Sequence, residues 1–307
     1  MPDHGFELRP RGPFSLEAST RFLEGFTPAA YSGPDAGHLH LAFPVETDGW
    51  KSTAVCVTHP GRTLLRVEAT GDADLRAVRP QLQRILSLHV DGTGWPEVGE
   101  RDPVIGRLQR SHDGLRPVAF DSAYEAAAWA LIGHRIRIAQ AARIKERMSQ
   151  ESGEQLSLHG SPIAAFPAPA VLEAGKGLAG LPDVKRQRLI GLGRAALVGR
   201  LDSQRLESLG HDGAVAGLQE LDGVGPFSAE LTVLRGVNMP DGVPRHEPRL
   251  ARAVRLAYAL DEEPSVDEIA RLAEAWRPYR TWAAVLLRTS LEEETTEIGG
   301  GRAGRTG

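Results

Sequence analysis

Leu218-Gln-Glu-Leu-Asp-Gly-Val-Gly-Pro-Phe-Ser-Ala-Glu-Leu231 is the stretch that decides how this chain is read. Two short apolar arms flank Gly223-Val224-Gly225. Glycine tolerates positive φ and lets another backbone come close, so the pair suits a tight turn between two helices. Pro226 then fits the first turn of the second helix, where no N–H is needed. The outward backbone N–H groups of residues 223–228 could hold a phosphate. One reading is therefore a hairpin that grips a nucleic-acid backbone without reading its sequence. The other is an ordinary connection between two helices that happens to carry two glycines.

Chain-wide properties narrow the field. With 307 residues the chain can bury a large core and divide into two or three domains. Its 41% apolar and 25% charged content is that of an ordinary globular protein. The net charge of −4 means that any nucleic-acid contact depends on a local basic face. The single cysteine, Cys56, excludes an internal disulfide, a four-cysteine iron–sulfur cluster and a cysteine-rich zinc site. The start, Met1-Pro-Asp-His-Gly-Phe-Glu7, lacks a signal pattern, and no run is long enough to span a bilayer. A cytoplasmic location is expected, with no membrane partner and no protein partner evident. Residues 299–307, rich in glycine, read as part of a disordered tail.

Taken in order, the periodicities predict an α+β chain. Residues 1–110 form a small antiparallel sheet domain with one or two helices, residues 111–291 an all-helical domain, and residues 292–307 a tail. Ser15 caps a first helix. His38-Leu-His-Leu-Ala-Phe43, Ala54-Val-Cys-Val-Thr58 and Thr63-Leu-Leu-Arg-Val-Glu-Ala69 read as strands, with Pro60-Gly61 as a turn. Leu75, Val78, Leu82, Ile85 and Leu86 share one side of a helix. From Asp121 onward the pattern is helical, with Asp121 or Ser122 as the first cap. Residues 150–161 read as a polar loop.

The hairpin has company. Gly114-Leu-Arg-Pro117, Leu131-Ile-Gly-His-Arg-Ile-Arg-Ile-Ala-Gln-Ala-Ala142, Pro244-Arg-His-Glu-Pro-Arg-Leu-Ala-Arg-Ala253 and Trp276-Arg-Pro-Tyr-Arg-Thr-Trp-Ala283 surround it in order. In that order and spacing the chain resembles the helix-hairpin-helix DNA glycosylase superfamily, on the side of bacterial 3-methyladenine DNA glycosylase II. The resemblance covers about residues 6–291, is specific in the hairpin and the Trp276-Arg-Pro-Tyr-Arg280 motif, and is weak in the first domain. It implies a two-lobed helical domain with the active site in the cleft between lobes. It also implies binding of double-stranded DNA containing a damaged base, and flipping of that nucleotide out of the stack.

Breaking a glycosidic bond builds positive charge on the sugar. The family stabilises it with an Asp about twenty residues past the hairpin, the last of a Pro, variable, Asp, Asp motif. Aligning on Arg252 puts Glu247 there, with His246 before it; Glu keeps the charge and adds one methylene. His246 could supply a proton or orient Glu247. Alternatively, both are solvated residues at a helix start, where an acid suits the macrodipole. Bifunctional relatives carry a Schiff-base Lys where Phe227 stands, so the resemblance implies a monofunctional enzyme without AP-lyase chemistry. Arg135, with His134 beside it, occupies the position of the wedge that fills the gap left by the flipped base. Arg135 could stack there, bind phosphate, or pair with Glu125 or Glu247.

The resemblance further places the DNA grip on Gly223, Val224, Gly225, Phe227 and Ser228, with Arg245 and Arg249 in support. Arg235, Arg252, Lys185, Arg186 and Arg188 add to that basic surface, although charge runs are usually solvated faces and some pair internally. Arg288 stands where the alkyl-base enzyme has an aromatic. Trp129, Tyr124, Trp282 and Tyr279 are candidate stacking surfaces for the base; aromatics at helical spacing are more often core, and at least half of these are expected there. No cofactor is required, though relatives often hold a monovalent cation, Na+ or K+, on hairpin carbonyls matching Gln219, Leu221 and Gly223. The implied function is excision of alkylated or otherwise damaged purines in base-excision repair. An inactive relative that binds damaged DNA is the alternative, motivated by the changed catalytic, wedge and pocket positions. A helical scaffold for a protein partner is a third reading, disfavoured by the hairpin and the Trp276 motif.

Overall fold

The alternating strands close into one sheet. In the computed structural model, which describes residues 5–26, 37–61 and 63–295, β1 (Gly5–Leu8), β2 (His38–Pro44), β3 (Ser52–Gly61) and β4 (Leu64–Gly71) pair antiparallel in the order β1-β4-β3-β2. Leu39 opposes Val57, and Val57 opposes Val67, so one face is a continuous apolar surface. Two helices cover it. One is α1 (Leu16–Gly25), capped by the Ser15 hydroxyl, which accepts the Ala18 N–H. The other is α2 (Leu75–Ile85), capped by Asp74. The predicted tail, apart from the residues up to 295, lies outside the described residues.

Two further cores make up the helical lobes. Helix α5 (Ala123–Gly133), capped by Ser122, is apolar on every face apart from Glu125 and is therefore buried rather than amphipathic. It runs through a core shared with α6 (Ile138–Ser152), α7 (Pro169–Glu173), α8 (Asp183–Leu197), α9 (Ser203–Ser208), α10 (Gly210–Gln219) and α11 (Pro226–Leu231). Helix α11 continues as a π-helical turn, Thr232–Val237. Gly236 lies against α5; a Cβ there would sit 2.8 Å from Ala123 Cα, so the close approach of the two helices needs glycine.

The other lobe packs α12 (Pro248–Ala257), α13 (Val266–Leu272) and α14 (Arg280–Thr295) around Trp276 and Trp282. Helices α3 (Trp95–Arg101) and α4 (Pro103–Ser111), which precede the expected boundary near residue 110, share this core through Trp95, Val98 and Ile105.

One segment departs from the expected all-helical pattern. Residues 150–161 are not a loop: α6 runs to Ser152, and β5 (Gln155–Leu158) pairs with β6 (Ser161–Ala164). Leu156 and Leu158 alternate with polar residues, and this small hairpin lays its apolar side on Ala42, Ala54 and Cys56 of the sheet.

The Trp276-Arg-Pro-Tyr-Arg280 and Gly114-Leu-Arg-Pro117 motifs are braces. Trp276 Nε1 donates to Asp102 Oδ2 at 2.9 Å, and Tyr279 Oη donates to Asp91 O at 2.5 Å. Arg280 Nε meets Asp241 Oδ1 at 2.6 Å, and Arg277 reaches the same carboxylate at 3.0 Å. Buried Arg116, from Gly114-Leu-Arg-Pro117, donates to the carbonyls of Pro13, Ser87, Val90 and Arg11 and lies over the Trp282 ring.

Candidate active-site cleft

The hairpin, the start of α12 and the middle of α14 converge on a cleft of about 630 Å³ between the two lobes. Its wall includes His134, Arg135, Phe227, Ser228, His246, Glu247, Arg249 and Arg288, drawn from four separate stretches of sequence.

Glu247 is the N-cap of α12. Its carboxylate accepts the Arg249 N–H at 3.1 Å, and Pro248 follows at the first helical position. The helix start favours a negative charge there. The same oxygen, Oε1, meets Arg288 Nη1 at 2.9 Å, so neither bond uses Oε2. Arg288 in turn grips Glu292, one turn on in α14, at 2.5 Å. Glu247, Arg288 and Glu292 thus form a braced row with two negative charges to one positive, and all three line the cleft. Glu247 is only 20% exposed, so it is not the freely solvated helix-start acid of the alternative reading.

His246 does not orient Glu247. Its Nδ1 lies 3.2 Å from Glu230 Oε1, and its backbone N–H donates to Glu230 Oε2 at 2.9 Å. Glu230, buried on α11, therefore holds both the ring and the chain; a carboxylate on Nδ1 fixes the proton there and leaves Nε2 as an acceptor. The sequence reading missed Glu230, because one acid on the second arm of a hairpin looks like a solvated residue.

The wedge candidate stands at the turn between α5 and α6. Arg135 is exposed and takes a left-handed conformation, φ 57°, which is unusual for a side chain of its size. The pairings considered for it do not form: Glu125 is bound by Lys145 at 2.6 Å and Glu247 by Arg288. Ile136 N–H closes the turn on Gly133 O.

The hairpin itself has the expected shape. Gly223 has φ 82°, and a Cβ there would press on Arg188, 2.5 Å from its Cδ. Gly225 needs no positive φ, but a Cβ there would meet only open space, so its face is clear for another molecule. Helix α11 starts with no side-chain cap, and its first intrahelical donor is Ala229 N–H, to Gly225 O. The N–H groups of Phe227 and Ser228 precede that bond and face outward at the helix start. Val224 is a correction: its N–H donates to Leu221 O and its side chain is buried, so it shapes the turn rather than offering a donor. Phe227 is 42% exposed beside the mouth of the cleft.

Several expected residues are elsewhere. Tyr124 is buried between Trp50 and Phe166 with its hydroxyl on Pro167 O, and Trp282 is buried with Trp95 and Tyr279; neither lines the cleft. Their large apolar area is spent in the two cores. Trp129 does line it, together with Phe22, Phe26 and Phe120, which the sequence did not single out. Arg235 is not a phosphate ligand. It lies over the rings of Phe22 and Phe26 and donates to Val118 O at 2.8 Å, and burial, reinforced by the like charge of Arg288, holds its guanidinium down at about 10. Lys185 caps the α5 carbonyl of Ile132 at 2.7 Å, and Arg186 pairs with Asp183. Arg245 and Arg249 are exposed.

Chemically, the cleft presents an aromatic side (Trp129, Phe22, Phe26, Phe120), an acidic floor and a basic rim. It can stack a flat ring, stabilise a cation near Glu247 and accept a proton from water at His246.

No family model matches the chain. It is 24% identical over 207 residues to a DNA-3-methyladenine glycosylase of Bacillus subtilis, covering 66% of this chain and 68% of that protein. It is 30% identical over 190 residues to DNA-3-methyladenine glycosylase 2 of Escherichia coli, covering 58% and 61%. The alignments thus span about two thirds of those relatives. In fold it is similar to a 3-methyladenine DNA-glycosylase from Archaeoglobus fulgidus, with a TM-score of 0.76 at 20% identity over 95% of this chain and 99% of that one.

Proposed function

Given a chain that in sequence and fold stands with the helix-hairpin-helix DNA glycosylases, near their 3-methyladenine branch, we propose that it is a monofunctional DNA glycosylase releasing alkylated purines. One observation carries this reading: Glu247, in register with the family's catalytic acid, lies in the cleft beside the hairpin and is braced by Arg288.

The hairpin grips a phosphate through the outward N–H groups at the start of α11, and Arg245 and Arg249 add charge at the rim. Arg135 enters the duplex as the nucleotide leaves it. The flipped base lies against Trp129 and the phenyl rings. An alkylated purine is cationic and already a good leaving group, and an acidic floor of Glu230, Glu247 and Glu292 suits it. As the glycosidic bond opens, Glu247 faces the growing positive charge on the sugar, and His246, oriented by Glu230, takes the proton of the attacking water. Phe227 offers no amine, so the product is an intact strand with an abasic site. The residues that would hold a monovalent cation at the hairpin turn are Gln219, Leu221 and Gly223, through their carbonyls, and the ion would add positive charge beside the bound phosphate. Leu221 O already accepts one N–H, from Val224, and keeps a second lone pair.

The test is release of purines from duplex DNA treated with a methylating agent, by wild type and by Glu247→Gln. Release by the wild type alone supports the reading. Equal release by both removes Glu247 from the mechanism, and tight duplex binding without release by either identifies a binding protein.

A further inference from the structure

The outer face of the sheet carries a second cluster of reactive side chains, none of which lines the cleft. His38 and His40 are two apart on β2 and so project to the same side. Cys56 on β3 sits directly across from His40 in the strand register, on that side as well. Their neighbours in sequence, Leu39, Val55 and Val57, point the other way into the core. The β5–β6 hairpin covers this outer face through Leu156, Leu158 and Ile163, and Thr70 Oγ1 ties it down by donating to Ser157 O at 3.1 Å. At its turn, His159 takes a left-handed conformation, φ 49°, which a histidine does not adopt readily, and its ring comes to 5.3 Å from the His40 ring.

Four ligand atoms, one each from His38, His40, Cys56 and His159, lie within 4.8 Å of one another. His38 Nδ1 and Cys56 Sγ are 3.4 Å apart. In a tetrahedral zinc site, bond lengths of about 2.0–2.3 Å set ligand atoms roughly 3.3–3.6 Å apart. One pair is already at that separation, and the others need close by no more than about 1.5 Å. Glu68 on β4 meets His159 Nε2 at 3.2 Å, the kind of carboxylate partner that fixes the ring of a metal-bound histidine.

We propose that His38, His40, Cys56 and His159 bind one Zn2+ ion and so fasten the β5–β6 hairpin to the sheet. Three neutral imidazoles and one thiolate form a closed four-ligand set, which is a structural rather than a catalytic zinc arrangement. Thiolate with imidazole favours zinc over magnesium or calcium. The ligands come from the sheet domain and from the segment after α6, so the ion would join two parts of the chain more than a hundred residues apart. The site needs only one cysteine and is independent of the reading of the cleft.

The experiment uses the full chain without an affinity tag, stripped with a chelator and titrated with Zn2+ against a chromogenic competitor. The expected result is one zinc per chain, a thermal midpoint raised by several degrees, and a cobalt-substituted protein with thiolate-to-metal absorption. Cys56→Ser abolishes that absorption, and His159→Gln, at an exposed turn, weakens zinc binding by more than about 100-fold without altering the metal-free circular dichroism. A wild type that takes up no zinc, or one whose zinc affinity is matched by His159→Gln, overturns the proposal. Cobalt bound without thiolate absorption in the wild type overturns it too, even where Cys56→Ser fails to fold.

Discussion

Replacing Glu247 by Gln removes one charge from the cleft and leaves its shape almost unchanged. With the sugar cation about 4 Å from the carboxylate and an effective dielectric constant of about 20, the lost attraction is about 4 kcal/mol, roughly a thousandfold in rate. Arg288 lies 2.9 Å behind the carboxylate, which puts its charge on the order of 7 Å from the sugar and opposes the reaction by about 2 kcal/mol. In Glu247→Gln that opposition remains. The double variant Glu247→Gln/Arg288→Gln removes it and recovers roughly thirtyfold of the loss. The assay is single-turnover release of methylated purines from duplex DNA with protein in excess, so that product release does not mask chemistry. Duplex affinity, read by fluorescence anisotropy, stays within a fewfold of wild type in both variants. If Glu247→Gln reacts at the wild-type rate, the carboxylate is only the cap of α12, and the electrostatic argument is refuted. A double variant slower than the single one would show instead that Arg288 contacts the substrate.

Three further outcomes follow from the geometry. Arg135→Ala slows base flipping on the order of tenfold while leaving binding to undamaged duplex nearly intact, as an adenine analogue's fluorescence beside the lesion reports; equal flipping by both proteins removes the wedge role. Borohydride traps no covalent complex with abasic DNA, because no lysine replaces Phe227; a trapped band of wild-type protein contradicts this. Asp121, whose carboxyl is raised well above its ordinary range by burial and then by Glu125, gives a pH signature. A raised folded-state value means that stability is full below about pH 4, the unfolded value, and declines as pH rises through the folded one. Asp121→Asn should therefore raise the melting temperature at pH 7–8 and change it little at pH 4, and a pH-independent difference between the proteins would contradict the assignment.

The hairpin turn was legible because its glycine and proline requirements are local, and Glu247 was singled out only through the resemblance of the motif around Arg252. Gly223 and Pro226 each suit a particular backbone position, and the structure puts them in the turn that leads to Phe227 and Ser228 at the cleft, which Glu247 also lines. What lay around them was not legible. Tyr124 and Trp282 have the periodicity of residues on a helix, and periodicity does not say which neighbour a face meets; both went to the cores. Phe22 and Phe26 belong to the domain in which the resemblance is weakest, yet they furnish the aromatic side of the cleft. Arg235 looked like a surface charge, but two rings and a carbonyl enclose it. The β5–β6 hairpin was hidden by its polar, short strands, one of which contains Pro162, although Leu156 and Leu158 alternate as strand residues do. Three of the four sheet strands were legible from apolar alternation, whereas β1 (Gly5–Leu8) and the order β1-β4-β3-β2 were not, because pairing partners are set by tertiary packing.

A π-helical turn is an α-helix with one residue inserted and both ends left in place. The turn at Thr232–Val237 lies between Glu230, which holds His246, and the loop that leads to Glu247. An insertion or deletion of a single codon in this stretch would re-phase Leu234 and Arg235 in the cleft wall and Gly236 against α5 together. The turn thus couples the shape of the pocket to the packing of α5, and the pocket is only as adjustable as that one glycine contact allows.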